Sequence, residues 1–169
     1  MQLTDVIERA IRPAYALLPA SMRSREATVL LLAIGLQESE FKHRRQIKGP
    51  ARGFWQFEQG GGFRGLLRHA STTKHAGQLL GDRGYSGMTE SEQFAQLEVD
   101  DVFAAGIARL LLWTDPKPLP APNQSDKAFE YYLRNWRPGA YTRGTAEQRT
   151  EISNRWGRAY AQAMAEVSA

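Results

Sequence analysis

The residues best placed for chemistry lie together in Leu36-Gln37-Glu38-Ser39-Glu40-Phe41. Two carboxylates stand there directly after the apolar run Ala27 to Leu36. If that run is a buried helix, its C-terminal end is an unfavourable place for negative charge. Burial raises a carboxyl's pKa, and the negative end of the helix dipole raises it further. A carboxyl that keeps its proton near neutral pH can serve as a general acid. Glu38 lies four residues after Ile34 and seven after Leu31, so it continues a core row. Glu40 follows Gly35, Leu36 and Gln37 and could also sit at a boundary. Spacing gives Glu38 only a small edge, and two solvated end-of-helix acids are the plain alternative.

Other chemistry is less focused. A hydrolysis in which one group donates a proton and another activates water needs a second carboxylate near the acid. Asp82, Asp100, Asp101 and Glu58 are available, but no spacing selects one. Gly60-Gly61-Gly62 can bend the chain against a ligand or act as a hinge; it lacks the Gly-Lys-Ser/Thr of a phosphate loop. Lys42, Arg44, Arg45, Lys48 and Arg52 form a basic stretch without an acid, suited to an anionic surface or to a solvated loop. His43, His69 and His75 have no metal-ligand spacing, and there is no cysteine. The expectation is no metal and no cofactor.

The elements that must position these residues read as helices. One spans about 4–18, with Pro13 expected to kink or end it. A second runs from about Ser24, a plausible N-cap, to Phe41; its middle is apolar on every face, as in a central buried helix. Residues 42–62 break the pattern, and two short helices follow at 63–69 and 75–80. Thr89-x-x-Glu92 is a capping box, opening a long helix to about Trp113. Asp115 to Asn123 carries four prolines and reads as an extended connector. Ser125 can cap a helix to about Trp136, ended by Pro138-Gly139. Thr145-x-x-Gln148 opens the last helix, with Ile152, Trp156, Ala159, Tyr160 and Ala163 on one face. The expected fold is all-α, or mainly α with at most a short strand pair near Arg52 to Glu58, in one domain over 1–169.

Composition bounds the rest. The chain has 169 residues, 42% hydrophobic and 24% charged, and can bury a core without disulfides. Its net charge of +4 and pI near 9.6 suit polyanionic partners. A membrane span needs about 20 apolar residues, and the longest run is half that. Met1-Gln2-Leu3-Thr4-Asp5 lacks the basic start and apolar stretch of a signal peptide. The expectation is a product made in the cytoplasm and delivered elsewhere by other means.

Gln37-Glu38-Ser39-x-Phe41, followed by Gly49-Pro50-Ala51-Arg52-Gly53-Phe54-Trp55-Gln56, resembles the first two motifs of soluble lytic transglycosylases in the lysozyme-like superfamily. The continuation through Gly60-Gly61-Gly62 looks more like the phage-encoded members. The specific likeness covers residues 33–69. Trp55 stands where the family usually has methionine. The family's late Tyr-Asn-Gly motif has its nearest match in Phe129 to Gly139, where Tyr131 and Tyr132 are alternatives and neither is adjacent to Asn135. The resemblance implies a lysozyme-like fold that cleaves the β-1,4 bond between N-acetylmuramic acid and N-acetylglucosamine in peptidoglycan. Glu38 would be the general acid and then the base. Ser39, Trp55, Gln56 and Tyr131 or Tyr132 would bind the glycan strand. One glutamate suffices when the sugar's own 6-hydroxyl attacks, giving a 1,6-anhydro product.

Two other functions fit the same sequence. One is a phage tail structural or adaptor protein that keeps the fold with weak or no activity, touching other tail proteins and acting at the cell wall as part of the virion. The other is a nucleic-acid-binding module; no helix carries a dense basic face, which makes it the weakest of the three.

Overall fold

The computed structural model describes residues 1–168 and is mainly helical, with no sheet among them. The all-α expectation holds. The N-terminal helix is α1 (Leu3–Val6), a π turn (Ile7–Ile11) and α2 (Arg12–Ala16) in series. Pro13 neither ends nor breaks it. A proline ring clashes with the carbonyl four residues back, and the wider π turn just before it relieves that crowding. A 3₁₀ turn (Ala20–Met22) leads to α3 (Arg25–Ser39). The Ser24 hydroxyl accepts the Ala27 N–H and caps α3.

Helix α3 is buried along most of its length and forms the centre of the core. It ends at Ser39, two residues before the expected Phe41. Glu40 and Phe41 both take left-handed backbone with φ of 52°. The turn throws the Phe41 ring back onto Gly35, where a Cβ would stand 2.1 Å from the ring. Only glycine allows that approach.

The segment 42–57 is a loop held by two isolated antiparallel bridges, Arg45 to Arg52 and Arg52 to Phe57. Gly53, at φ 74°, lies so close to the backbone at Leu97 that a Cβ would meet the Leu97 carbonyl at 2.9 Å. Most of the basic stretch is paired: Arg44 grips Asp101 through two bonds of 2.8 and 2.7 Å, Arg52 pairs with Glu98, and Lys42 with Glu40. These cations staple the loop to its neighbours.

A glycine-rich π turn (Gln59–Phe63) enters α4 (Arg64–Arg68), followed by α5 (Thr73–Asp82). The long helix expected after Thr89 is two helices, α6 (Glu90–Gln96) and α7 (Asp101–Thr114). The Thr89–Glu92 capping box is present. Asp100 makes the break. One of its oxygens accepts the Phe103 N–H at 2.9 Å and caps α7. The other receives Arg83 and Tyr85. A continuous helix would forfeit those bonds around a buried carboxylate.

After the proline connector come α8 (Ser125–Trp136), α9 (Gly139–Thr142) and α10 (Ala146–Ser168). Ser125 is the first residue of α8 and not its cap; Gln124 holds that position without a side-chain bond. Thr145 and Gln148 form the reciprocal cap of α10. Helix α10 buries Ile152, Trp156, Ala159, Tyr160 and Ala163 as its periodicity requires, and packs along α3. That contact sets the C-terminal end of α3 beside α8 and α10. No helix among the described residues is long and apolar enough to cross a membrane.

Candidate active site

A cleft of about 830 Å³ opens at the end of α3. Its walls come from the 46–66 segment, the end of α8 with the turn into α9, and one face of α10. Glu38 lines it, half-buried. Burial pushes its carboxyl from 4.5 up to about 7, against the opposing effects of a Tyr132 hydrogen bond and the Arg155 charge. The Tyr132 hydroxyl donates to Glu38 Oε1 at 2.6 Å. That phenol is itself held well above its ordinary value, by burial first and then by the Glu38 charge. Its ring is fixed by stacking on Trp156, centroids 4.9 Å apart at 16°. Glu38 is therefore an oriented acid that carries its proton over much of the range where free carboxyls have lost theirs.

Glu40 is the opposite case. It lies in the exposed turn after α3 and pairs with Lys42, whose hydrogen bond and charge hold its carboxyl below the ordinary range. Two residues of chain separate an acid in a cleft from an acid in water, because the helix ends between them.

Three residues expected on the sugar-binding wall are elsewhere. Trp55 is fully buried in the core and donates its indole N–H to the Leu31 carbonyl at 2.8 Å. It packs edge-on against Phe41. Tyr131 lies on a different side of α8 from Tyr132; it is buried and donates to the Leu112 carbonyl at 2.7 Å. Tyr132 is the tyrosine of the cleft. Ser39 is buried behind Glu38. Its hydroxyl donates to the Phe54 carbonyl at 2.7 Å and accepts the Phe41 N–H at 3.2 Å. It ties the end of α3 to the following loop and so positions Glu38 rather than touching a ligand.

Gln56 does line the cleft. It has left-handed backbone, φ 49°, and its amide donates to the Gly53 carbonyl at 2.7 Å and the His43 carbonyl at 3.3 Å. Its donors are occupied within the loop, and its side-chain carbonyl is the atom left for a ligand.

Trp136 also lines the cleft, although no sequence signal singled it out. Its indole N–H donates to the Trp55 carbonyl at 2.9 Å, and its ring is half-buried. Trp156 is core, under Tyr132, and Trp113 lies half-buried beneath the Arg109 guanidinium. Arg155, on α10, was also missed. A helical phase places it beside Trp156 on the edge of the buried face, which is the one signal that could have found it. Asn135 lines the cleft with its amide bound to Asp115 at 2.9 Å. Gly60, Gly61, Gly62 and Gly65 present bare backbone along one side.

Of the candidate second acids, only Glu58 lines the cleft. Asp100 caps α7, Asp101 is held by Arg44, and Asp82 receives Gln78. Glu38 and Glu58 are the only carboxylates of the cleft among the described residues.

Compared with family models, with curated proteins and with solved structures, the chain matches none.

Proposed function

We propose that this chain is a glycan-cleaving enzyme of the lysozyme-like type, acting on the β-1,4 bond between N-acetylmuramic acid and N-acetylglucosamine in peptidoglycan. The observation that carries it is Glu38. An acid held near pH 7 by burial, oriented by a 2.6 Å bond from Tyr132 and open to an 830 Å³ cleft, is equipped to protonate a leaving oxygen. The cleft has room for a glycan strand, and Trp136 offers it an aromatic face. The glutamate-serine pair at a helix end, followed by the Gly49 to Gln56 segment, resembles the family's first two motifs and agrees with the same assignment.

The reaction begins when the Glu38 proton passes to the glycosidic oxygen as the C–O bond breaks. The Tyr132 hydroxyl, already donating to Glu38, then stabilises the carboxylate that results. That carboxylate takes a proton from the attacking hydroxyl in the second step. If the attacker is the sugar's own 6-hydroxyl, Glu38 does both jobs and the product has a 1,6-anhydro end. If the attacker is water, Glu58 is the one other carboxylate in the cleft able to activate it. Glu58 is exposed and no basic partner holds it among the described residues. We favour the single-glutamate path.

Mass spectrometry of muropeptides after digestion tests this directly. Anhydro-ended fragments are expected. Reducing-end fragments would make the enzyme a hydrolase. No fragments from peptidoglycan of several envelope types would leave the fold as a tail structural or adaptor protein without catalysis.

A further inference from the structure

Three arginines that flank the cleft or its loop are matched to acids, whereas Arg45 in the loop has no acid partner among the described residues. Arg44 binds Asp101, Arg52 binds Glu98, and Arg134 binds Asp115 at 2.8 Å. Arg137 and Arg155 line the cleft, are exposed, and have no carboxylate within ion-pair distance among the described residues. Arg137 makes only a 3.3 Å bond from its Nε to the Arg134 carbonyl. Arg155 stands near the end of α3, where its charge reaches both Glu38 and Glu40. Glu40 itself is engaged by Lys42.

Arg137 has a second peculiarity. It occupies the C-terminal cap of α8 in left-handed backbone, φ 49°. Glycine is favoured at such a cap because a Cβ there is crowded. The Arg137 side chain gives the fold one bond, from Nε to the Arg134 carbonyl in the last turn of α8, and neutralises no acid among the described residues. Arg137 lines the cleft together with Trp136 and Pro138.

A neutral sugar needs no unpaired guanidinium. A carboxylate fits one well, since the planar fork matches both oxygens and the charge-assisted bonds are strong. We propose that Arg137 and Arg155 read a carboxylate carried by the bound glycan, so that the cleft takes acid-bearing strands in preference to neutral ones. This rests on the glycan-cleaving reading above and assigns the specificity within it to two residues outside the acid machinery.

The test uses Glu38→Gln protein, which holds glycan without turning it over. Two peptide-free tetrasaccharides of alternating N-acetylglucosamine and N-acetylmuramic acid are titrated by calorimetry, one with free lactyl carboxylates and one with those groups amidated. The free acid is expected to bind about tenfold more tightly, the value of one hydrogen bond to a charged group. The ratio should shrink with added salt. It should approach one when Arg137→Gln and Arg155→Gln are added together. Residue 38 is glutamine in every protein titrated, so the influence of the Arg155 charge on the Glu38 proton plays no part in the comparison. Equal binding of acid and amide in the parent, or a preference that survives in the double variant, overturns the inference. If the two bind alike while the unmutated chain still releases muropeptides, only the arginine assignment falls. If neither binds and no muropeptide is released, the glycan-cleaving reading falls with it.

Discussion

Glu38→Gln should separate the proton from the shape of the site. In the folded chain the Glu38 carboxyl is pushed from 4.5 up to about 7, chiefly by burial. In the unfolded chain it titrates near the lower value. Across that window the folded state binds the proton and the unfolded state does not, so stability falls as pH rises through it. Below the window both states are protonated and the penalty is absent; above it both are ionised and the penalty is complete. At about 1.4 kcal/mol per pH unit, the ionised carboxyl costs the fold ~3 kcal/mol at full development. Glutamine keeps the shape and never ionises. The variant should therefore match the parent near pH 4 and exceed it by ~3 kcal/mol near pH 8. In a domain of this length that corresponds to a Tm gap of about 6–12 °C. Urea unfolding of both proteins at three pH values reads the difference, in which all other titrating groups cancel. Glycan cleavage should meanwhile fall by about 10²–10⁴. A stability difference that stays constant with pH would refute burial as the source of the raised value. A fully active variant would remove Glu38 as the proton donor.

Three further outcomes follow from the same geometry. Tyr132→Phe removes the hydrogen bond that favours the ionised carboxyl, so Glu38 should hold its proton to higher pH and the alkaline fall of activity should move upward; a pH–rate profile reads it, and a downward move would contradict the assignment. Glu40→Gln should retain cleavage and shift stability by less than about 0.5 kcal/mol, because the residue is exposed; a loss equal to that of Glu38→Gln in a turnover assay would count against the cleft. Trp55→Ala should cost about 3–5 kcal/mol of stability through a core cavity, with KM of whatever folded enzyme remains little changed; a KM effect without unfolding would return Trp55 to the binding wall.

Much of the helix plan was legible because its signals are local. The Thr89–Glu92 and Thr145–Gln148 caps each close within four residues, and the α10 face repeats at the period of one helix. The apolar stretch before Glu38 reads as a buried helix from its composition alone. What it does not contain is the stopping point. Helix α3 ends at Ser39 because Phe41 must fold back onto Gly35 and Ser39 must reach Phe54, a residue fifteen positions on. The helix break before α7 depends likewise on Arg83 and Tyr85 meeting Asp100 from another element.

The sequence by itself determined the residue types of the site: an acid at the end of a buried helix, a serine after it, a glutamine in the next loop and aromatics late in the chain. Tertiary structure decided which of them face a ligand. Tyr131 and Tyr132 are neighbours in sequence, yet about 100° apart around α8; only the docking of α8 against α7 on one side and α10 on the other sends the first to Leu112 and the second to Glu38. Trp55 goes to the core, where the Leu31 carbonyl receives its N–H, while Trp136 lines the cleft with its N–H on the Trp55 carbonyl. Burial is a property of all the elements around a side chain. Its consequence for Glu38, a proton held to about pH 7, appears only when α3, α8 and α10 are assembled.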